Sequence, residues 1–142
     1  MTLPTAFWDS SALIPLCVEQ KQTQRSTDLF GIYGVAVWWA APVEIVSGLT
    51  RLARMGEIGR NELLAGKQLA QTLSLTWVSI NPSAMIAAAA CSLPESHPLS
   101  AADALQLAAA LEWCEGQPSG KVFLTFDRRL REAATLAGFT LE

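Results

Sequence analysis

The chain has little of what several familiar kinds of site require. It holds a single histidine, His97, and three cysteines, Cys17, Cys91 and Cys114. The cysteines are odd in number and far apart, without a C-x-x-C spacing. That excludes a disulfide framework or a zinc site as the natural reading, and fits reduced, partly buried thiols of a cytoplasmic protein. His97 stands beside Pro98 in an expected loop, which gives it no expected catalytic role. No uninterrupted run of about 18 apolar residues exists, so no membrane span is expected. The start, Met1-Thr2-Leu3-Pro4, lacks a basic segment followed by an apolar one, so no secretory signal is expected. Charge is scarce as well: 16% of residues are charged and the net charge is −3. An acidic chain is poorly equipped to neutralise phosphates, which counts against nucleic-acid binding unless metal ions supply positive charge locally.

Apolar residues, by contrast, make up 51% of the 142 positions. That length suits one domain with one core, here residues 1–142, and the composition lies far from the disordered class. Short β-like runs alternate with helical stretches. Strands are expected at Ala6–Trp8, Val35–Trp38, Trp77–Ile80 and Val122–Phe126, with a short edge strand at Phe139–Leu141. Helices are expected over Ser11 to about Val18, Lys21–Phe30, Pro42 to about Met55, and Arg60–Leu73. A further helix opens at Asn81-Pro82-Ser83 and is broken by Leu93–Pro98, and two more cover Ser100–Trp113 and Arg128–Ala137. Apolar strands separated by helices predict an α/β three-layer sandwich, a parallel sheet of four to five strands with helices on both faces.

The acids fall in a pattern. Of four aspartates, Asp9 directly follows the first strand, Asp127 follows the fourth, and Asp103 lies in the first turn of the most apolar helix. Glu44 lies in the first turn of the helix after the second strand. Ligands of open parallel sheets bind beyond the carboxyl ends of the strands, where Asp9, Glu44 and Asp127 are expected. Asp103 joins them only if its helix begins near the same edge. Each acid also has a purely structural reading. Asp9 and Asp127 suit N-caps, Ser100 with Asp103 has capping-box spacing, and Glu44 suits a helix dipole.

Asp103 and Gln106 are the only polar residues between Ala101 and Leu111. A helix apolar all round is buried, and a buried carboxylate needs a cation or donors. Several carboxylates in one pocket repel one another until a divalent ion relieves them, and an all-oxygen set selects Mg²⁺, with Mn²⁺ substituting. The expected ligands and catalytic residues are Asp9, Glu44, Asp103 and Asp127. Ser10, Ser11 and Thr125 are expected to orient a ligand carboxylate, with helix capping as the alternative for these hydroxyls. Thr125 is expected on the same strand face as Asp127. Arg51, Arg54, Arg128, Arg129 and Arg131 are candidates to grip flanking phosphates, against the plainer reading of solvated helix faces. Trp38 and Trp39 are candidates to stack on bases, or else core or dimer contacts.

At these residues the chain resembles the PIN domains and, among them, the VapC-type toxins. The segments are Asp9-Ser10-Ser11-Ala12-Leu13, Pro42-Val43-Glu44-Ile45, Ala102-Asp103-Ala104-Leu105-Gln106 and Leu124-Thr125-Phe126-Asp127-Arg128, followed by Ala137-Gly138-Phe139. The resemblance spans nearly the whole length. It departs at Gln106, where family members often carry histidine. It implies a strand order 3-2-1-4-5, an endoribonuclease that cuts RNA with metal-activated water, a cognate antitoxin protein and a homodimer. Two other readings compete. One is a metal-dependent phosphatase or phospho-acceptor domain. It is disfavoured because Ser11 stands where a second aspartate belongs and Lys121 opens a strand rather than ending one. The other is a non-catalytic PIN-like interaction module.

Overall fold

The computed structural model describes residues 2–142. Strand β1 (Thr5–Trp8) lies at the centre of a five-stranded parallel sheet. It is flanked on one side by β2 (Gly34–Trp38) and β3 (Val78–Ile80), and on the other by β4 (Val122–Leu124) and β5 (Thr140–Leu141). The order β3-β2-β1-β4-β5 is the expected one. Seven helices connect and cover it among the described residues: α1 (Ser10–Cys17), α2 (Thr23–Phe30), α3 (Ala41–Arg54), α4 (Arg60–Ser74), α5 (Ala84–Ser96), α6 (Ala101–Trp113) and α7 (Arg128–Ala137).

Alternation along the strands divides the core in two, because successive side chains point to opposite faces. Phe7, Ala36, Trp38 and Phe123 pack with Leu107, Ala110 and Leu130 of α6 and α7. Ala6, Trp8, Val35, Val37 and Leu124 pack with Leu13, Ile45 and Leu49 of α1 and α3. Both faces are therefore covered, which is why β1 reads as an unbroken apolar run. Burying a large apolar side chain such as Phe7 or Leu107 is worth about 1.5–3 kcal/mol.

Several boundaries differ from the sequence reading by a residue or two, and two of the differences have an identifiable cause. α5 runs on to Ser96, through Pro94, rather than breaking at Leu93. Proline removes one backbone donor and disfavours the turn before it. Pro94 stands in the last turn, where the helix loses little, and the N–H of His97 still reaches the Leu93 carbonyl. β4 stops at Leu124, two residues early, because the next backbone donors turn to side chains. The Phe126 N–H donates to Ser11 Oγ at 2.9 Å, and the Asp127 N–H to Thr125 Oγ1 at 3.0 Å. Thr125 and Asp127 thus lie beyond the strand, and two-residue alternation does not apply to them. At the far end of α7, Gly138 takes φ 109°, a left-handed cap that suits glycine.

Candidate active site

The sheet delivers the chain to one edge. The Asp9 N–H still bonds the Leu124 carbonyl at 2.9 Å, so β1 and β4 end together, and the chain leaves them toward Asp9 and Asp127 at the same edge. α1 departs from Asp9 and α3 from the end of β2. A Cβ at Gly48 would come within 2.5 Å of Ile14 Cδ1, so glycine allows α3 to lie close against α1. Between α1, α3 and the start of α6 opens a cleft of about 440 Å³, with Ser10, Ser11, Glu44, Gly48, Arg51 and Ala102 on its walls. Ala102 in that lining puts the N-terminus of α6 at the same edge, the condition on which the placement of Asp103 rested.

Asp9 is 5% exposed. It occupies the N-cap position of α1 but makes no side-chain cap bond. Instead its Oδ2 accepts the hydroxyls of Ser11 at 2.6 Å and Thr125 at 2.8 Å. Each hydroxyl has spent its one proton on Asp9 and receives a backbone N–H in return, from Phe126 and Asp127 respectively. Ser11 and Thr125 thus tie the end of β4 to the Asp9 carboxylate. Ser10 reaches Oδ1 only at 3.4 Å. Burial pushes the Asp9 carboxyl up from its ordinary range; the two hydroxyls oppose this and the charge of Asp103 adds to it.

Glu44 is half-buried in the first turn of α3, and its Oε1 accepts the Gln106 amide Nε2 at 2.6 Å. Burial lifts its carboxyl to about 7, with Asp9 and Asp103 adding to the rise and Gln106 opposing it. The Asp103 carboxyl is also pushed up, by burial first. Hydrogen bonding from Ser100 holds it down, Asp127 raises it, and Arg129 lowers it. The Ser100 hydroxyl accepts the Asp103 N–H at 3.2 Å and caps α6. Asp127 caps α7, its Oδ1 accepting the Leu130 N–H at 3.0 Å.

Asp9, Glu44 and Asp103 therefore act on one another electrostatically, and Asp127 acts on Asp103. Among the described residues, however, no three Asp, Glu, His or Cys side chains stand in an arrangement that would hold a metal ion as they are. Among the described residues none of the four acids forms an ion pair with a lysine or arginine either: the ion pair found is Arg128–Glu132, at 3.4 Å on the surface.

The candidate RNA-gripping arginines part company. Arg51 lines the cleft and Arg129 is close enough to influence Asp103. Arg54 is exposed in the last turn of α3, and Arg128 is tied to Glu132. Arg131 donates to the Thr125 and Glu142 main-chain oxygens, so it braces the chain after β4. Trp38 is core, and Trp39 is 56% exposed, edge-on to it. His97 closes α5. The residue the sequence reading undervalued is Gln106, whose partner is Glu44. The available signal was a lone amide inside an apolar helix, which had to find a partner somewhere.

The profile of the PIN domain family matches residues 6–136. No curated protein sequence matches significantly. Among solved structures, the chain is similar to VapC20 of Mycobacterium tuberculosis, described as a Sarcin-Ricin loop cleaving toxin. The TM-score is 0.66 at 20% identity, over 96% of this chain and 97% of that one. It is similar to a toxin-antitoxin complex from Klebsiella pneumoniae, with TM-score 0.61 at 18% identity over 87% of each chain. FitAcB from Neisseria gonorrhoeae gives 0.64 at 16% identity, over 96% and 97%. At these identities the likeness is one of fold.

Proposed function

This chain belongs to the PIN-domain family, and from that premise we propose that it is a metal-dependent endoribonuclease acting as the toxin of a type II toxin–antitoxin pair. The observation that carries the reading is a set of carboxylates left without cationic partners. Asp9, Glu44 and Asp103 are pushed up first by burial and then by a neighbouring carboxylate (Asp103 on Asp9, Asp9 and Asp103 on Glu44, Asp127 on Asp103), and no lysine or arginine forms an ion pair with them among the described residues. Such a set is costly to assemble unless a cation shares it.

The donors fit Mg²⁺, with Mn²⁺ substituting, because every candidate ligand is a hard carboxylate oxygen. Asp9, Glu44, Asp103 and Asp127 would hold the ion, directly or through its waters. Bound there, it supplies a Lewis acid that offsets charge developing on a phosphodiester under attack by water. The chain's own residues do the positioning. Ser11 and Thr125 fix one oxygen of Asp9, and the Leu130 N–H fixes one oxygen of Asp127. Arg51, on the cleft wall, meets a flanking phosphate, and Arg129 is a second candidate. With this reading go an RNA substrate, an antitoxin partner, a homodimer and a cytoplasmic site of action. Among the described residues no helix is long and apolar enough to cross a membrane.

One observation favours the alternative of a non-catalytic module: no three acids stand ready to hold an ion. Two measurements separate the readings. Cleavage of RNA in Mg²⁺ is compared between the wild type and an Asp9→Asn/Asp103→Asn double variant, and Mn²⁺ is titrated into the wild type by calorimetry. The nuclease reading expects Mn²⁺ binding, cleavage by the wild type and none by the folded double variant. Full cleavage by that variant refutes the site, and no Mn²⁺ binding at millimolar ion favours the module.

A further inference from the structure

Gln106 is 1% exposed, in a helix whose neighbouring side chains are almost all apolar. Burying an amide there costs free energy that a leucine would not, unless all its polar atoms are matched. They are not matched: Gln106 Oε1 has no hydrogen-bond partner among the described residues. The other half of the amide makes one short bond, Nε2 to Glu44 Oε1 at 2.6 Å, linking α6 to α3 across 62 positions of sequence. The amide orientation is fixed by that neighbour, since a flip would set Oε1 against a carboxylate oxygen. A side chain that leaves half its polar capacity unmet and spends the rest on a cleft carboxylate is poorly explained by stability.

The bond takes only one oxygen of Glu44; Oε2 has no hydrogen-bond partner among the described residues. The same division recurs at the neighbouring acids. Asp9 is held through Oδ2, and its Oδ1 meets only Ser10 at 3.4 Å. Asp127 is held through Oδ1 by the Leu130 N–H. In each of these three acids one oxygen carries the short bonds, and of the three Glu44 lines the cleft. Ser11 and Thr125 do the anchoring for Asp9. For Glu44, on a flexible three-torsion side chain, the anchor is Gln106.

We propose that Gln106 is a positioning residue that clamps Glu44 Oε1 so that Oε2 is presented to a divalent cation in the cleft. The inference rests on the nuclease reading above and extends it to a residue at which the chain departs from the histidine of its resemblance.

The test measures Mn²⁺ affinity of the full chain by calorimetry and by the electron paramagnetic resonance of free Mn²⁺, with thermal melting as the folding control. Gln106→Leu removes the donor while keeping the volume, and Gln106→Met stands in if that variant fails to fold. The expected result is Mn²⁺ binding about ten-fold weaker with an unchanged or higher melting temperature, the loss usual for removing a group that orients a ligand. Gln106→His, which can present an N–H to Glu44, restores affinity. In a Glu44→Ala background, Gln106→Leu produces no further loss, whereas a merely structural role would weaken binding again. Wild-type affinity in Gln106→Leu, or a further loss of similar size in the Glu44→Ala background, overturns the inference and leaves the nuclease reading standing. A wild type that binds no Mn²⁺ overturns both.

Discussion

Glu44 offers a prediction whose sign is opposite to the usual expectation for deleting a buried charged group. Its carboxyl is lifted from an ordinary 4.5 to about 7, chiefly by burial and then by Asp9 and Asp103. The folded protein therefore holds a proton between those values that the unfolded chain has already released. By linkage, stability falls as pH rises through that window, and the penalty is complete above pH 7. A rise of this size corresponds to about 3 kcal/mol. Because Glu44 is only half-buried, solvent screening takes a good part of it, leaving about 1–2 kcal/mol. Glu44→Gln removes the charge and keeps an oxygen to accept the Gln106 amide. In metal-free buffer with chelator, urea unfolding at pH 8 should show the variant about 1–2 kcal/mol more stable than the wild type. That is a rise of about 3–6 °C in melting temperature for a chain of this length. At pH 5 the difference should nearly vanish. Adding Mn²⁺ at pH 8 should raise the wild type more than the variant, because a bound ion stabilises the state that holds it. A variant less stable than the wild type at pH 8, or a difference independent of pH, would refute the account of Glu44 as a desolvated carboxylate repelled by its neighbours.

Other perturbations separate roles that overlap in single residues. Asp127→Asn keeps a side-chain oxygen for the Leu130 N–H and should leave stability nearly unchanged. Asp127→Ala loses the cap and should cost about 1 kcal/mol by urea unfolding; both should abolish cleavage. Thr125→Val deletes a hydroxyl that donates to Asp9 and accepts from the Asp127 N–H, so it should destabilise by about 1–3 kcal/mol and weaken Mn²⁺ binding, read by calorimetry. Arg51→Ala should reduce the dependence of RNA affinity on salt by about one ion, whereas Arg128→Ala, already paired with Glu132, should change it less.

The alternation of apolar strands with helices was enough to give the layer architecture, since buried parallel strands announce themselves as short apolar runs bounded by helices, whereas the strand order came from the resemblance to PIN domains. What it could not give was where β4 ends. Phe126 continues the apolar run of Val122 to Leu124, yet its N–H goes to Ser11 Oγ, a residue 115 positions away. No local pattern encodes a donor diverted that far. The same limit applies at the site. The acids were legible because each stands at a strand end or helix start, a local feature. Their partners were not: Thr125 meets Asp9 across 116 positions and Gln106 meets Glu44 across 62. Arg131 sits one turn from Arg128 and looks equally available in sequence. Its bonds to the Thr125 and Glu142 main chain depend on where the chain leaves the sheet.

The two kinds of anchor around the acids differ in what they leave behind. Ser11 and Thr125 are fully used: each gives its proton to Asp9 and takes a backbone N–H from the loop after β4. They serve the fold and the site together, and a single bond network fixes both the end of β4 and the orientation of Asp9. Gln106 is half-used, its carbonyl unmatched in an apolar helix. A network that is fully satisfied gains stability and specificity at once, whereas a half-satisfied one is a net cost to the fold. Natural sequences accept such local conflicts at functional sites and offset them elsewhere. Here the offset lies in the packing of the sheet, where Phe7 and Phe123, one residue before the ends of β1 and β4, are buried completely against α6 residues such as Leu107. The acids are brought to one edge by this packing of strands and helices rather than by any attraction among them.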